Sequence, residues 1–277
     1  MARTRPPFGE KPTTEALDKI TRELRLDLVA ISHRSKTSLS GGALSCLELL
    51  ASLYWNCLRV EPKNPDNPDR DRFILDKGHA IVSLYATIAH RGFFPKEELE
   101  HYGQEGSRLS QQPAPGSVPG IEWSAGSPGR GLGIGLGMAL AARIQRRSYN
   151  VYVLLHDGES QENSAGEAAL LAAQLNLSNL TAIVEYHGQQ TPGQKNTAAN
   201  SPASKWQALG WATREVDGND LNAIAKALRV QRSASSPIAI LARTVAGKGV
   251  SFVEADKYEP RVPSDEEVES TRRELGL

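Results

Sequence analysis

Residues 151–155, Val-Tyr-Val-Leu-Leu, are apolar at every position, and the run stops at once on His156, Asp157, Gly158 and Glu159. A strand apolar on both faces is covered on both faces, as inside a parallel sheet, and such sheets hold ligands beyond the carboxyl ends of their strands. Comparable runs at 72–76 (RFILD), 180–186 (LTAIVEY) and 238–244 (IAILART) predict further strands. Apolar positions at helical spacing predict helices over about 14–33, 43–57, 80–91, 129–147, 164–175 and 221–232. The alternation is that of an α/β fold with a mostly parallel central sheet and helices on both faces. It leaves a Pro-rich charged arm at 1–13, one domain over 14–254 and a polar C-terminal extension at 255–277, both ends reading as poor places for chemistry.

Composition narrows the class. The 277 residues are 39% hydrophobic and 23% charged, enough to bury a sizeable core. Lys plus Arg and Asp plus Glu both number 32, so no basic field favours nucleic acid. Cys46 and Cys57 are the only cysteines and lack metal-ligand spacing. No apolar run approaches the roughly 20 residues of a membrane span, and the N-terminus has no signal-like apolar region, which makes the cytoplasm the expected location.

Three stretches place glycine where a backbone must come close to something. In RFILDKGHA, Gly78 and His79 fall between a strand and a helix, a position that suits a phosphate but equally a plain turn with a capping histidine. GSPGRGLGIGLGMALAARI carries glycines at 126, 129, 131, 133, 135 and 137, which also reads as a tightly packed small-residue helix. No acidic residue follows a dinucleotide fingerprint at the required point of a βαβ unit, which disfavours a nucleotide-binding dehydrogenase. Asp157 and His187, thirty residues apart, each follow a predicted strand and emerge at the same sheet edge. Two adjacent loops there can share a hard cation through the Asp157 carboxylate and a backbone carbonyl near Gln189, with diphosphate oxygens completing the shell, as Mg²⁺ prefers.

The order of DKGHA, GSPGRGLGIGLGMALAARI, HDGESQENSAGEA, NLTAIVEYHGQQ, VDGND and ARTVAGKGVSFVE over about residues 20–255 resembles that of transketolases. The resemblance implies a thiamine diphosphate-binding fold, and the chain is similar to the N-terminal subunit of a split transketolase. It further implies that thiamine diphosphate and Mg²⁺ bind here and that a partner, the C-terminal pyrimidine-binding subunit, supplies the glutamate that activates the cofactor. An α2β2 heterotetramer, inactive as this chain alone, is the implied assembly. Such enzymes move a two-carbon ketol unit from a ketose to an aldehyde, the cofactor carrying the hard chemistry. Carried over by position, His79, Gly158, Glu159 and Lys248 fall at the diphosphate, Gly126, Ser127 and Pro128 at the thiamine, and Asp157, His187 and Gln189 at the metal. His79, Gln112 and Glu162 fall at catalytic positions. Glu162 and Glu167 match interface acids, against the plainer reading of a solvated helix face. Lys248 either approaches the phosphates or snorkels at a strand end.

Departures from the family pattern are as informative. Leu39, Gln112 and Glu259 stand where three family histidines are expected, His156 replaces the first glycine of G-D-G, and His187 replaces an asparagine ligand. Imidazole is a poor Mg²⁺ ligand and a good one for softer ions, so Mn²⁺ or another divalent ion competes with Mg²⁺ if the His187 ring enters the shell. If the ring swings away, the shell stays all-oxygen. Two explanations follow: an active enzyme retuned to an unusual donor, or a non-catalytic subunit that keeps the fold and an interface but binds the cofactor weakly or not at all.

Overall fold

A computed structural model describes residues 11–123, 128–187, 201–230, 235–254 and 259–277. Five parallel strands form one sheet: β1 (Arg72–Leu75), β2 (Val151–His156), β3 (Leu180–Tyr186), β4 (Ala212–Asp217) and β5 (Ile238–Arg243), in the order β1-β2-β3-β5-β4. The register sets Val151 against Leu180 and His156 against Glu185, so β2 and β3 end level with each other.

The continuous apolar run of β2 has a direct cause. Tyr152 and Leu154 pack into one core layer with α1 (Thr14–Ser35), α3 (Leu47–Ser52) and α4 (Ile81–Arg91). Val151, Val153 and Leu155 pack into a second layer with α5 (Gly131–Ile144), α7 (Asn163–Gln174) and Trp206 of α8 (Pro202–Ala208). Alternate side chains thus serve opposite layers, as the pleat requires. Gly135 allows α5 to lie close on the sheet, since a Cβ there would meet Val153 Cγ2 at 2.6 Å.

Four local expectations are corrected. The helix expected over 43–57 is broken into α2 (Gly41–Leu44), α3 and a π-helical turn at Leu53–Cys57. Its first carbonyls are diverted, because Gly42 O accepts from Lys77 Nζ at 2.9 Å and Ser45 Oγ at 3.1 Å. The sheet has an edge strand, β4, that the apolar pattern did not predict, because its residues ATREVD are only partly covered. α8 was likewise unpredicted; α9 (Leu221–Val230) and the single-turn α10 (Ser251–Glu254) follow it along the chain. The C-terminal stretch contains α11 (Asp265–Leu275), opened by a Ser264–Glu267 capping box, closed by Gly276 at φ 67° and packed against α1. Ahead of it, Leu39 N–H donates to Arg261 O at 2.9 Å, which brings this segment to the sheet's carboxyl edge. Among the described residues no helix is long and apolar enough to cross a membrane.

Candidate active site

The strand ends define the site. β1 leads through Asp76 and Lys77 into a 3₁₀ turn, Gly78–Ala80, which carries His79. β2 leads into the single-turn helix α6 (Asp157–Ser160), and β3 is followed by His187. A cleft of about 760 Å³ opens here, and its lining includes Leu39, His79, Gln112, Pro128, Glu159 and Pro260. The C-terminal segment, expected to be remote from any chemistry, therefore contributes to the cleft wall through Pro260.

Beneath the cleft lies a wholly buried ion pair. Lys77 Nζ contacts a Glu185 carboxylate oxygen, both side chains are 0% exposed, and Thr244 Oγ1 donates to the other oxygen at 2.8 Å. Burial disfavours the Lys77 ammonium more than any one neighbour favours it, but the charge and hydrogen bond of Glu185, with Cys46 and Glu159, together outweigh it and raise the Lys77 pKa. Burial likewise opposes the Glu185 carboxylate, and Lys77 outweighs it in the other direction. Both groups are charged. Lys77 ties β1 to β3 and to the turn at Gly42, where a Cβ would come within 2.9 Å of His79 Nε2. The His79 pKa is lowered, first by burial and then by the nearby Lys77 charge, so its imidazole is neutral.

At the end of β2, His156 and Glu159 form a reciprocal cap. His156 N–H donates to Glu159 Oε2 at 2.9 Å, and Gly158 N–H donates to His156 Nδ1 at 3.2 Å. Glu159 is thereby committed to the cap as well as facing the cleft. Asp157 accepts from Ser160 Oγ at 3.2 Å and Gln161 Nε2 at 3.1 Å, which leaves lone pairs on both oxygens. The His187 ring sits beside that of His156, centroids 4.8 Å apart, with Nδ1 3.1 Å from Thr244 Oγ1.

Of the residues singled out from the sequence, the cleft collects Leu39, His79, Gln112, Pro128 and Glu159. Gly126, Ser127 and Gln189 lie outside the described residues. Glu162 and Glu167 are exposed on or just ahead of α7, and Glu162 packs over Gly129, whose added Cβ would lie 2.4 Å from Glu162 Cβ at φ +76°. Glu259 is exposed. Lys248 is not brought to the His79 cleft: it lines a separate cavity of about 610 Å³ with Tyr186, Asn219 and Arg243, and lies 3.5 Å from Glu254. Sequence reasoning missed Lys77, Glu185 and Thr244, although a lysine and a glutamate inside otherwise apolar strand ends were a visible signal. It also missed Asp76, a 2% exposed carboxyl at the amino end of α5 whose Oδ2 has no hydrogen-bond partner among the described residues. Burial, aided by the Glu159 charge and opposed by N–H groups of Gly131 and Gly129, pushes its pKa up to about 7.

Residues 14–277 match the family described as transketolase, thiamine diphosphate binding domain. The chain is 37% identical over 266 residues, 95% of its length and 94% of the relative's, to one of the subunits of the apulose-4-phosphate transketolase of Phocaeicola vulgatus. It is 36% identical over 217 residues, 77% of its length and 79% of the relative's, to a 6-deoxy-6-sulfo-D-fructose transketolase subunit of Clostridium sp. strain MSTE9. The crystal structure of transketolase from Campylobacter jejuni superposes with a TM-score of 0.85 at 25% identity, covering 96% of this chain but only 43% of that one. With that match over nearly its whole length and the strand-end cleft beneath it, the chain belongs to the transketolase family, as an N-terminal subunit carrying the thiamine diphosphate binding domain.

Proposed function

We propose that this chain is the diphosphate- and metal-binding half of a two-component, thiamine diphosphate-dependent enzyme that moves a two-carbon ketol unit from a ketose-type donor to an aldehyde-type acceptor. The observation that carries the reading is the convergence of Asp157, Gly158, His156, His187 and His79 at the ends of three adjacent strands of a transketolase-type sheet. The residues present suit the cofactor. Among the described residues His156 Nε2 is buried without a hydrogen-bond partner and a Cβ at Gly158 would meet only His156 Nδ1, at 3.7 Å, which leaves room for an incoming group. Among the described residues no three His, Cys, Asp or Glu side chains form a metal cage.

In this reading Asp157, His187 and the carbonyl near Gln189 hold the divalent ion, Mg²⁺ or Mn²⁺. Gly126, Ser127 and Pro128 flank the thiamine, and His79 and Gly158 face the diphosphate. When bound, thiamine diphosphate supplies the nucleophilic carbon needed for ketol transfer. The neutral His79 can accept or donate a proton at the cleft, and Gln112 can only hydrogen-bond, so proton handling rests on His79 and on groups from the partner.

A pyrimidine-binding subunit completes the site, in an α2β2 assembly. The face of α5 and α7 supports this. Gly133, Gly137 and Gly166 have open space where a Cβ would project, and Ile144, Leu170 and Leu171 are exposed beside them. The relatives named as subunits of apulose-4-phosphate transketolases bear on the donor, and a phosphorylated or otherwise anionic ketose is the class to test first. The absence of imidazole at Leu39 and Gln112 favours one second reading, a non-catalytic subunit. Calorimetry with thiamine diphosphate and Mg²⁺, with and without the partner, followed by ketol transfer assays, decides: tight binding with turnover supports the first reading, and weak or no binding selects the second.

A further inference from the structure

Two imidazoles end the central strands side by side, and their hydrogen bonds differ in kind. The His156 Nδ1 faces the backbone N–H of Gly158 at 3.2 Å. A backbone N–H can only donate, so Nδ1 holds a lone pair and the ring proton sits on Nε2. His187 is the reverse. Its Nδ1 lies 3.1 Å from Thr244 Oγ1, and that hydroxyl lies 2.8 Å from Glu185 Oε1. Lys77 occupies the other carboxylate oxygen and keeps Glu185 ionised, hence an acceptor only. The single Thr244 proton therefore goes to Glu185, and the hydroxyl oxygen accepts from His187 Nδ1–H. The His187 Nε2 is left bare.

We propose that the two rings are locked in opposite tautomers before any ligand arrives: His156 presents an N–H donor to a phosphate oxygen of the cofactor, and His187 presents a bare nitrogen to its divalent ion. Thr244 and Glu185 act as positioning residues for His187. This rests on the proposed function above and gives its unusual histidines separate tasks. The donor half stands on His156 Nε2, a buried polar atom with no hydrogen-bond partner among the described residues. Leaving such a group unpaired is unfavourable, and a diphosphate oxygen satisfies it. The acceptor half follows the common arrangement in which a metal-ligating histidine is oriented by a hydrogen bond from its other ring nitrogen, here relayed to a carboxylate through one hydroxyl. Asparagine at position 187 would not need the relay.

Long-range ¹H–¹⁵N correlation spectra of the ¹⁵N-histidine-labelled full chain, free of metal and cofactor, read the tautomers directly, with His156→Gln and His187→Asn assigning the signals. The expected result is His156 as Nε2–H and His187 as Nδ1–H. Thr244→Val releases His187 toward Nε2–H without moving His156, and Thr244→Ser preserves the wild-type pattern. Calorimetry on the same samples with Mn²⁺ and thiamine diphosphate should show affinity reduced about tenfold or more by Thr244→Val and retained by Thr244→Ser. Finding His187 as Nε2–H in the wild type, or unmoved by Thr244→Val, overturns the lock even if the cofactor binds tightly. The expected tautomers with no cofactor or metal affinity overturn the ligand assignments instead, and with them the proposed function.

Discussion

Replacing Lys77 by methionine tests the platform under the cleft. The substitution removes the ammonium from a pair in which both side chains are 0% exposed, leaving the Glu185 carboxylate in the core with only Thr244 Oγ1, at 2.8 Å, and Ser45 as donors. Breaking a buried pair from one side costs about 3–5 kcal/mol, because the surviving charge keeps its desolvation penalty. The two remaining hydrogen bonds put the expected loss at about 3 kcal/mol, near the lower bound of that range. At about 2–4 °C per kcal/mol for a chain of this size, the melting temperature should fall by roughly 10 °C.

The loss should also depend on pH, with a sign that identifies its cause. In the wild type, Lys77 holds Glu185 below the usual carboxylate range, so the pair's stabilisation is present at neutral pH and is lost only as pH falls through that lowered value. In Lys77→Met, burial outweighs the remaining Thr244 and Ser45 hydrogen bonds and raises the Glu185 pKa, so the variant regains stability as pH falls and the carboxyl takes up a proton. Urea denaturation of both proteins from pH 5 to pH 8 should therefore show a deficit that widens with pH. Adding Glu185→Leu should recover most of the loss, since an apolar pair of similar volume replaces a buried ion pair at little or no cost. A pH-independent deficit, or a double variant as unstable as the sum of the two singles, would refute the reasoning.

Asp157→Ala should abolish metal-dependent binding of thiamine diphosphate, because it removes the one carboxylate this chain offers the ion; unchanged affinity by calorimetry excludes the assignment. His187→Asn should shift the preference from Mn²⁺ toward Mg²⁺, and an unchanged metal ranking rules His187 out as a ligand. The buried Asp76, with its pKa pushed up to about 7 from an ordinary 3.8, should make the fold lose stability as pH rises between those values, a slope that Asp76→Asn flattens in pH-dependent denaturation. Gly129→Ala should destabilise the loop under Glu162, since φ is +76° and the new Cβ would lie 2.4 Å from Glu162 Cβ; thermal melting that matches the wild type within a degree counts against that contact.

What could be read from the sequence follows from where each signal lives. The interior strands were visible because both of their faces feed core layers, as Val153 and Leu154 do on opposite sides of β2. β4 was not visible, since an edge strand half in solvent need not be apolar and ATREVD carries no period that burial could enforce. α11 was overlooked for its polarity, although Ser264 with Glu267 three residues later and a closing Gly276 are the local chemistry of a helix start and stop. The site divides in the same way. His79, Asp157 and His187 stood out because each follows a run of buried residues, so a polar group there must face a ligand or a turn. Lys77 and Glu185 occupy the same strand ends but pair through space, 108 residues apart, and only the β2–β3–β5 register brings Thr244 to them. A pair of that separation leaves no local pattern. In the proposed lock its consequence is local all the same: by fixing which nitrogen of His187 is protonated, the ion pair decides what that ring can offer a ligand. The substitution of histidine for the family asparagine at 187 therefore makes sense only together with Thr244, Glu185 and Lys77, and changes among those four residues should be tolerated in combination more readily than singly.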